Sequence, residues 1–269
     1  DSRPEYYRNR VNAGLHVINP SVLELSGIDA DKVGAVGENG KPIKVDLDRQ
    51  LLKPLAGTGK MFCYDSPEYV KDMGTPERYK AGRVSGKNLQ NKQKAIFLDR
   101  DGTINKYVGF LRNINEFELL DGAADAIKKI NASGYLAIVI TNQPVIARGE
   151  VSFEELERIH NKMETLLGKK GAYLDAIYFC PHHPHKGYEG ERPELKFDCD
   201  CRKPKPGMLL KAAQDFNIDL AQSWMIGDGE NDIRAGQNAG CQTAFIGNES
   251  YGQTVTVSSL KNFVEQHLN

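Results

Sequence analysis

From residue 94 onward, short apolar runs alternate with amphipathic helical patterns, and this alternation constrains the fold more than any other feature of the chain. The predicted strands are residues 95–98, 136–140, 176–179, 224–226 and 243–246. The predicted helices are residues 123–130, a stretch opened by the capping pair Ser152 and Glu155, 208–216, 232–239 and 260–268. Fully apolar strands separated by helices are typical of a parallel sheet covered on both faces. We therefore predict an α/β fold with a doubly wound parallel sheet.

The first 80 residues carry weaker signals. Residues 11–19 and 61–64 are predicted strands, and residues 20–25 are the predicted start of a helix. The polar, glycine-containing segment 81–93 has no periodicity and is typical of a linker. We therefore expect a smaller, strand-rich partial domain with its linker at 1–88 and a second domain at 89–269.

Composition excludes several classes of protein. Lys and Arg total 35 and Asp and Glu total 36, and this balance argues against nucleic acid as a partner. No apolar run approaches the roughly 20 residues of a membrane span, and no signal-peptide pattern opens the chain. Five cysteines in 269 residues do not make a disulfide scaffold. We expect a cytoplasmic protein with reduced thiols and no membrane partner.

Residues capable of chemistry follow three of the predicted strands. Asp99 and Asp101 come directly after the first strand, and Gly102 beside them permits a turn. Thr141 follows the second strand, and the acidic loop 227–232 follows the fourth. Open α/β sheets bind ligands at the carboxyl ends of their strands. Carboxylates gathered there are suitable ligands for a hard cation such as Mg²⁺.

A fourth segment, C-R-K-P-K-P-G at 201–207, places positive charge before a predicted helix, which is a combination suited to anions. Taken singly, these signals have other interpretations. Thr141 also fits a turn or a helix cap. The D-x-D-G pattern also occurs in calcium loops, although further acidic ligands do not follow at the required spacing.

In this order the four segments resemble the haloacid dehalogenase superfamily of phosphotransferases, whose pattern is D-x-D-G-T, then Thr, then Lys, then G-D-x-x-x-D. The resemblance covers residues 94–269 and implies a Mg²⁺-dependent phosphatase without a large cap domain. It implies that Asp99 is the nucleophile that forms an aspartyl-phosphate. Asp101 would protonate the leaving oxygen and then activate water, and Thr141 and Lys203 would hold the transferred phosphoryl oxygens.

The same resemblance implies a set of metal ligands. Mg²⁺ would be bound by Asp99, Asp228 and the backbone carbonyl of Asp101, whereas Asp232 would orient its loop or a metal-bound water. Lys205 competes with Lys203 for the lysine role. We favour Lys203 because the lysine of the superfamily usually precedes the first proline of the K-P-x-P pattern.

The segments C-P-H at 180–182 and C-D-C at 199–201 give C-x-H, sixteen intervening residues and C-x-C. Three thiols and an imidazole are the donor set of a structural zinc site. The spacing differs from the common C-x₂₋₄-C, so chance remains an alternative at this point. The predicted Zn²⁺ ligands are Cys180, His182, Cys199 and Cys201.

This cysteine pattern, followed at once by R-K-P, resembles one branch of the superfamily, the heptose-bisphosphate phosphatases and the related histidinol-phosphate phosphatases. The segments D-R-D-G-T-I-N, T-N-Q, A-R-G and C-R-K-P-x-P-G-M also match that branch. The resemblance implies a phosphorylated sugar as substrate and a zinc loop that partly roofs the site. The substrate-binding residues it implies are Asn142, Arg202, Gly109 and Arg148.

Two positions depart from the pattern of the branch. Gln143, Pro144 and Val145 stand where Q-S-G is usual after T-N, and Gly229 stands where a basic residue is usual. Both positions are expected near the substrate. Heptose bisphosphate is the favoured substrate, histidinol phosphate is the alternative, and a non-catalytic phosphosugar-binding module is the hypothesis from another class.

Residues 9–80 resemble the later part of the sugar-phosphate nucleotidyltransferases, through segments such as V-N-A-G-L-H-V-I-N-P at 11–20. The nucleotide-binding loop of that family belongs to an earlier half that has no counterpart in this sequence. The resemblance therefore implies an inactive fragment, with the missing half as a partner. A phosphatase that makes a sugar 1-phosphate would act one step before such a transferase, which favours the heptose hypothesis.

Overall fold

The computed structural model describes residues 5–8, 16–19, 21, 32–37, 40–62 and 91–268. The chain forms two compact units, one of Val11–Ser66 and one of Asp1–Arg10 with Pro67–Asn269. The predicted domain boundary at residue 88 lies outside the described residues, as does most of the predicted linker. Within the described part of the chain, no helix is long and apolar enough to cross a membrane.

The larger unit is built on a six-stranded sheet with the order β3-β2-β1-β4-β5-β6. All neighbouring strands run parallel. The strands are β1 (Lys94–Leu98), β2 (Tyr135–Asn142), β3 (Ala176–Cys180), β4 (Trp224–Gly227), β5 (Gln242–Ile246) and β6 (Val255–Val257). The chain adds strands on one side of β1 and then on the other, so the topological switch point lies between β1 and β4.

Helices cover both faces of this sheet. They are α1 (Ala123–Ala132), α2 (Phe153–Lys169), α3 (Gly207–Asp215), α4 (Glu230–Ala239) and α5 (Leu260–His267). Ile96 and Leu98 of β1 belong to the core cluster formed with α1, α2 and α5, whereas Phe97 belongs to the cluster formed with α3 and α4. Successive side chains of a strand point to opposite faces, so an apolar strand supplies both cores. The prediction of a doubly wound parallel sheet is confirmed.

The predicted elements are present with small differences at their ends. The capping box of α2 is formed as expected, because Glu155 N donates to Ser152 Oγ (3.1 Å) and Ser152 N donates to Glu155 Oε2 (2.7 Å). The helix predicted at 208–216 begins at Gly207 and ends at Asp215. The strand β6 was not predicted, since three residues at a sheet edge are too short to carry a periodic signal.

The strand predictions for the first 80 residues are wrong where the structure describes them. Residues 16–19 and 61–62 have no regular secondary structure, and the remaining residues of both predictions lie outside the described part. Val17 is fully exposed, so its apolar side chain is not buried against a sheet. The described residues of the smaller unit instead form a π-helical turn, Leu47–Leu52, that continues into Lys53–Leu55. The predicted helix start at 20–25 is described only at Ser21.

Residues near the start of the chain contact α2 within the larger unit. Tyr7 N donates to Thr165 Oγ1 (2.9 Å), and the same hydroxyl donates to Tyr7 O (3.0 Å). Arg8 forms an ion pair of 3.0 Å with Glu157, and both side chains are half exposed. Exposed ion pairs of this kind contribute about 0–1 kcal/mol.

If the chain has the phosphatase activity that the sequence resemblance implies, we predict that deletion of residues 1–88 leaves phosphate release from p-nitrophenyl phosphate within about twofold of the full chain. The four motifs and the cysteine pattern all follow residue 88, and a doubly wound sheet of about 180 residues is large enough to fold alone. Loss of the Tyr7 and Arg8 contacts should lower the Tm by only a few degrees. Activity assays and thermal unfolding check this. An aggregated or inactive fragment would show that the boundary is misplaced.

Candidate active site

The carboxyl ends of β1 and β4 bring two acidic residues together at the switch point. Asp99 follows β1, and its backbone N–H donates to Ile226 O of β4 (2.9 Å). Asp228 follows β4 directly. Gly102 lies against Asp228 with a φ of +82°, and a Cβ at this position would overlap the Asp228 carboxylate. Only glycine permits both this backbone conformation and this close approach.

A buried lysine lies among the carboxylates. Lys203 Nζ donates to Asp99 Oδ1 (2.7 Å) and to Ile140 O (2.7 Å), and it lies 2.6 Å from Asp232 Oδ1. The side chain of Lys203 is 3% exposed. The structure therefore joins three of the sequence-predicted positions into one charged cluster.

Lys205, the competing lysine, lies elsewhere. Its Nζ pairs with Asp198 at 2.7 Å, and its side chain is 39% exposed. Asn142 at the end of β2 fixes the main chain of Lys203, because Asn142 Oδ1 accepts from Lys203 N (3.0 Å) and Asn142 Nδ2 donates to Lys203 O (3.1 Å). The amide of Asn142, predicted to contact substrate, is thus engaged in holding the lysine.

The cluster carries an excess of negative charge. Burial and the neighbouring Asp232 raise the pKa of Asp99 to about 7. Burial and Asp99 raise the pKa of Asp228 to about 6. Although burial opposes the charged form, Asp232 and Asp99 raise the pKa of Lys203. One ammonium group facing three carboxylates leaves a deficit of positive charge.

This donor set fits a magnesium ion. One oxygen from each of Asp99, Asp228 and Asp232 lies within 4.8 Å of the others. Mg²⁺ prefers carboxylate and carbonyl oxygens, and a divalent cation would balance the repulsion among these groups.

The second carboxylate of the D-x-D motif has a different environment. Arg100 donates through one nitrogen to both oxygens of Asp101 (2.9 and 2.7 Å), while Asn105 and Gln143 each donate at 3.0 Å. Although burial opposes it, the Arg100 guanidinium lowers the pKa of Asp101. Gln143 also donates to the hydroxyl of Thr141 (2.9 Å), which is 1% exposed. Sequence analysis did not identify Arg100 or Gln143, because the motif leaves the residue between its two aspartates unspecified.

The four predicted zinc ligands form a compact cluster. Cys201 Sγ lies 3.1 Å from Cys180 Sγ and 3.2 Å from both Cys199 Sγ and His182 Nδ1. These separations are far longer than the roughly 2.05 Å of a disulfide. Hydrogen bonding with Cys180 lowers the pKa of Cys201 to about 5. Arg202, the next residue, donates to His182 O (3.1 Å) and is thereby fixed to the cluster.

Another predicted substrate residue lies between aromatic rings. The Arg148 guanidinium is 4.1 Å from the ring centroid of Phe110 and 4.5 Å from that of Tyr188. Such stacking holds a planar cation in a fixed orientation. Gly109, beside Phe110, is partly exposed and has a φ of +78°. The roles of Arg148 and Gly109 in substrate binding stay predictions.

Comparisons with known proteins agree on one family. Residues 200–264 match a family model described as HAD-hydrolase-like. The chain is 46% identical over 147 residues to D-glycero-β-D-manno-heptose-1,7-bisphosphate 7-phosphatase of Pasteurella multocida, a match that covers 55% of this chain and 77% of that protein. It is 44% identical over 152 residues to the protein of the same name from Escherichia coli K12, covering 56% and 78%.

A solved structure agrees with these relatives. The crystal structure of D,D-heptose 1,7-bisphosphate phosphatase from B. bronchiseptica, complexed with magnesium and phosphate, superposes with a TM-score of 0.56 and 32% identity. The superposition covers 64% of this chain and 97% of that one.

We predict that Lys203→Met lowers kcat/KM for p-nitrophenyl phosphate by about 10²–10³-fold, because a preorganised buried cation is lost where the phosphoryl charge must be stabilised. Lys205→Met is the matched control. It removes the same charge two residues further along the chain, where the lysine forms a partly exposed ion pair with Asp198. We expect this control to stay within about twofold of the wild type. Equal losses in the two variants would contradict the choice of Lys203.

Proposed function

Because this chain belongs to the HAD-like phosphatase family of the D-glycero-β-D-manno-heptose-1,7-bisphosphate 7-phosphatases, we propose that it hydrolyses the 7-phosphate of D-glycero-D-manno-heptose 1,7-bisphosphate. The membership rests on relatives that the chain matches over 77% and 78% of their length. The observation that carries the proposal is the Asp99 carboxylate, held by Lys203 Nζ at the switch point of a parallel sheet. Open parallel sheets bind their ligands at the switch point, beside the carboxyl ends of the strands.

In this proposal Mg²⁺ is held by Asp99, Asp228 and the backbone carbonyl of Asp101. When bound, the ion would offset the repulsion between these carboxylates and a phosphate dianion. Support comes from the surplus of carboxylate over ammonium in the cluster, which a divalent cation balances. The B. bronchiseptica relative was crystallised with magnesium and phosphate.

The proposed reaction has two steps at Asp99. A carboxylate oxygen of Asp99 attacks phosphorus, and the bond from phosphorus to the sugar oxygen breaks with its electron pair on that oxygen. Asp101 gives its proton to the leaving oxygen. Asp101 then takes a proton from water, which attacks the aspartyl-phosphate and releases inorganic phosphate from Asp99. A neighbouring acid and base pair of this kind suits phosphoryl transfer through a covalent intermediate.

The remaining proposed contacts bind phosphate oxygens and the sugar. Thr141 and Lys203 hold the transferred phosphoryl group. Arg148 Nη2 lies 3.3 Å from His183 Nε2, and the cationic groups of Arg148 and Lys196 each lie 4.5 Å from the ring centroid of Tyr188. A bisphosphate carries a second dianion, and a region of fixed positive charge suits it. We propose that Gly109 and Asn142 shape the loops that border this substrate.

We predict that Asp99→Asn lowers phosphate release by at least about 10³-fold with Mg²⁺ present, because the nucleophile is lost. Asp125→Asn, at an exposed position of α1, is the control and should leave the rate unchanged. The wild type should release phosphate from heptose 1,7-bisphosphate with the highest kcat/KM in a panel that includes histidinol phosphate.

The outcomes of this panel separate the hypotheses. Normal turnover in Asp99→Asn would contradict the nucleophile assignment. A preference for histidinol phosphate would change the substrate but keep the chemistry. Binding of the phosphorylated sugar without phosphate release would indicate a binding module.

We also propose that the cluster of Cys180, His182, Cys199 and Cys201 holds one structural Zn²⁺. Two observations support this proposal. Three thiols and one imidazole are a donor set typical of structural zinc sites, and the four ligand atoms all lie within 4.8 Å of one another. Four protein ligands complete a structural zinc site, so this ion would take no part in the chemistry. Because Cys201 directly precedes Arg202 and Lys203, the bound ion would also restrict the motion of these two cations.

We predict that Cys199→Ser protein loses its zinc and unfolds at a clearly lower temperature, because metal binding is coupled to folding of the loop. Cys241→Ser is the matched control: Cys241 is also a buried free cysteine, but it lies outside the cluster. Elemental analysis should find about one zinc per chain in the wild type and in this control. Zinc retained in Cys199→Ser, with an unchanged Tm, would contradict the site.

For the first 88 residues we propose a fragment of a sugar-phosphate nucleotidyltransferase, supported by the sequence resemblance of residues 9–80. The resemblance implies one metal-binding carboxylate in this segment, Asp72, and a single carboxylate cannot hold the metal and nucleoside triphosphate for transfer. The full chain should accordingly show no nucleotidyl transfer to sugar 1-phosphates, as measured by release of pyrophosphate.

A further inference from the structure

We propose that Gln143 is a positioning residue that directs the hydroxyl hydrogen of Thr141 toward the transferred phosphoryl group. The inference rests on the proposed function, in which Thr141 holds phosphoryl oxygens. Gln143 directly follows β2, and both residues are buried. Gln143 would act on the phosphoryl group only through the hydroxyl that it contacts.

The backbone at the end of β2 brings these two side chains together. The pairing with β3 continues past the last residue of the strand, because Gln143 N donates to Cys180 O (2.8 Å). Side chains two residues apart in an extended segment point to the same side of the sheet. Ile140 O, directly before Thr141, accepts from Lys203 Nζ (2.7 Å). The hydroxyl and its partner therefore lie beside the charged cluster of the candidate active site.

A donor on the opposite side determines which atom of the Gln143 amide faces Thr141. Arg100 is completely buried, and one of its terminal nitrogens lies 3.1 Å from Gln143 Oε1. A guanidinium group only donates hydrogen bonds, so the amide presents its oxygen to Arg100. The amide nitrogen therefore faces Thr141, and it lies 2.9 Å from the hydroxyl oxygen. Arg100 is itself held at its other terminal nitrogen, which lies 3.3 Å from His160 Nε2 on α2.

The number of hydrogens on each group then gives the direction of the Thr141 hydroxyl. The amide nitrogen of Gln143 donates one hydrogen to Thr141 Oγ1 and the other to Asp101 Oδ2 (3.0 Å). A hydroxyl that accepts in this way keeps its single hydrogen for another acceptor. Within the part of the chain that the structure describes, no hydrogen bond has the Thr141 hydroxyl as its donor. A phosphoryl oxygen can accept this hydrogen, and a buried donor is unfavourable while it has no acceptor.

The contact from Gln143 restricts how the hydroxyl can turn. A hydroxyl on a tetrahedral carbon has three staggered positions for its hydrogen. Donation from the Gln143 amide excludes the position in which that hydrogen points back at the amide nitrogen. A donor that is already oriented stabilises charge on the phosphoryl group without reorganisation during the reaction. Loss of Gln143 should therefore weaken the contribution of Thr141 without removing it.

The experiment is a double-mutant cycle of Gln143→Met and Thr141→Val, measured with Mg²⁺ as kcat/KM for p-nitrophenyl phosphate and as Kd for inorganic phosphate. We expect Thr141→Val to lower kcat/KM by about 10²-fold and Gln143→Met to lower it by about tenfold. In the Thr141→Val background, Gln143→Met should cost less than about twofold more, because the hydroxyl on which it acts is gone. The Kd for inorganic phosphate should rise in the same non-additive pattern.

Matched variants separate positioning from folding. Gln214→Met removes an exposed glutamine of α3 and should leave kcat/KM and Kd unchanged. Thr141→Ser keeps the hydroxyl, so Gln143→Met should still cost about tenfold in that background. Thermal unfolding reports whether each variant folds. Gln143→Leu, which also lacks the amide, takes the place of Gln143→Met in the cycle if the methionine variant does not fold.

Two results would overturn the positioning role. One is an unchanged kcat/KM and Kd in Gln143→Met. The other is an equal loss from Gln143→Met with and without the Thr141 hydroxyl, because Gln143 would then act through Asp101 or through the fold.

Failure of the inference can be told apart from failure of the proposed function. If Thr141→Val has no effect while Asp99→Asn abolishes turnover, the phosphatase function stands, and the role of Thr141 falls together with the inference. If the full chain releases no phosphate, the proposed function is wrong, and the cycle in Kd for inorganic phosphate decides the inference. Absence of phosphate binding would then overturn the inference as well.

Discussion

One buried ammonium group allows the acidic residues of this site to lie together. Lys203 is 3% exposed and bonds to Asp99 at 2.7 Å, with Asp232 at 2.6 Å on the other side. Carboxylates brought this close would otherwise repel one another or take up protons, as the raised pKa values of Asp99 and Asp228 indicate. The lysine reduces the repulsion among the carboxylates without neutralising all of their negative charge, so the cluster remains suited to a divalent cation.

The fold fixes Lys203 from several directions, which explains why a flexible side chain serves as a fixed charge. Asn142 at the end of β2 holds its main chain on both sides. Cys201, two residues earlier, belongs to the cysteine cluster. Asp232 orients its loop as well, because its Oδ2 accepts from Gly229 N (3.0 Å) at the start of α4 while its Oδ1 faces the lysine. Sequence analysis expected the loop-orienting part of this role and missed the ion pair.

Sequence predicted the elements whose signal is local and missed those that depend on distant contacts. Apolar runs identified β1 to β5, but β6 has three residues and lies at the sheet edge. Residue type alone could not separate Lys203 from Lys205, since both precede a proline; burial separates them. Besides the adjacent Asp101, Arg100 contacts Gln143 and His160, which lie 43 and 60 positions away in the chain, so no spacing pattern could reveal these two contacts.

The proposed function assigns chemistry and specificity to different parts of this fold. The acidic groups follow β1 and β4, whose register the sheet fixes. The cations Arg148, Lys196 and Arg202 lie instead on loops. Arg148 is stacked between the rings of Phe110 and Tyr188. The Arg202 guanidinium donates to the backbone carbonyl of His182 in the cysteine cluster. In the proposed function, changes in these loops would alter which phosphorylated molecule fits while leaving the carboxylates in place. The departures of this sequence from its branch at positions 144–145 and 229 also follow strand ends. Under the proposed function, these positions therefore bear on the choice of substrate, whereas the Asp99 and Lys203 pair bears on the reaction itself.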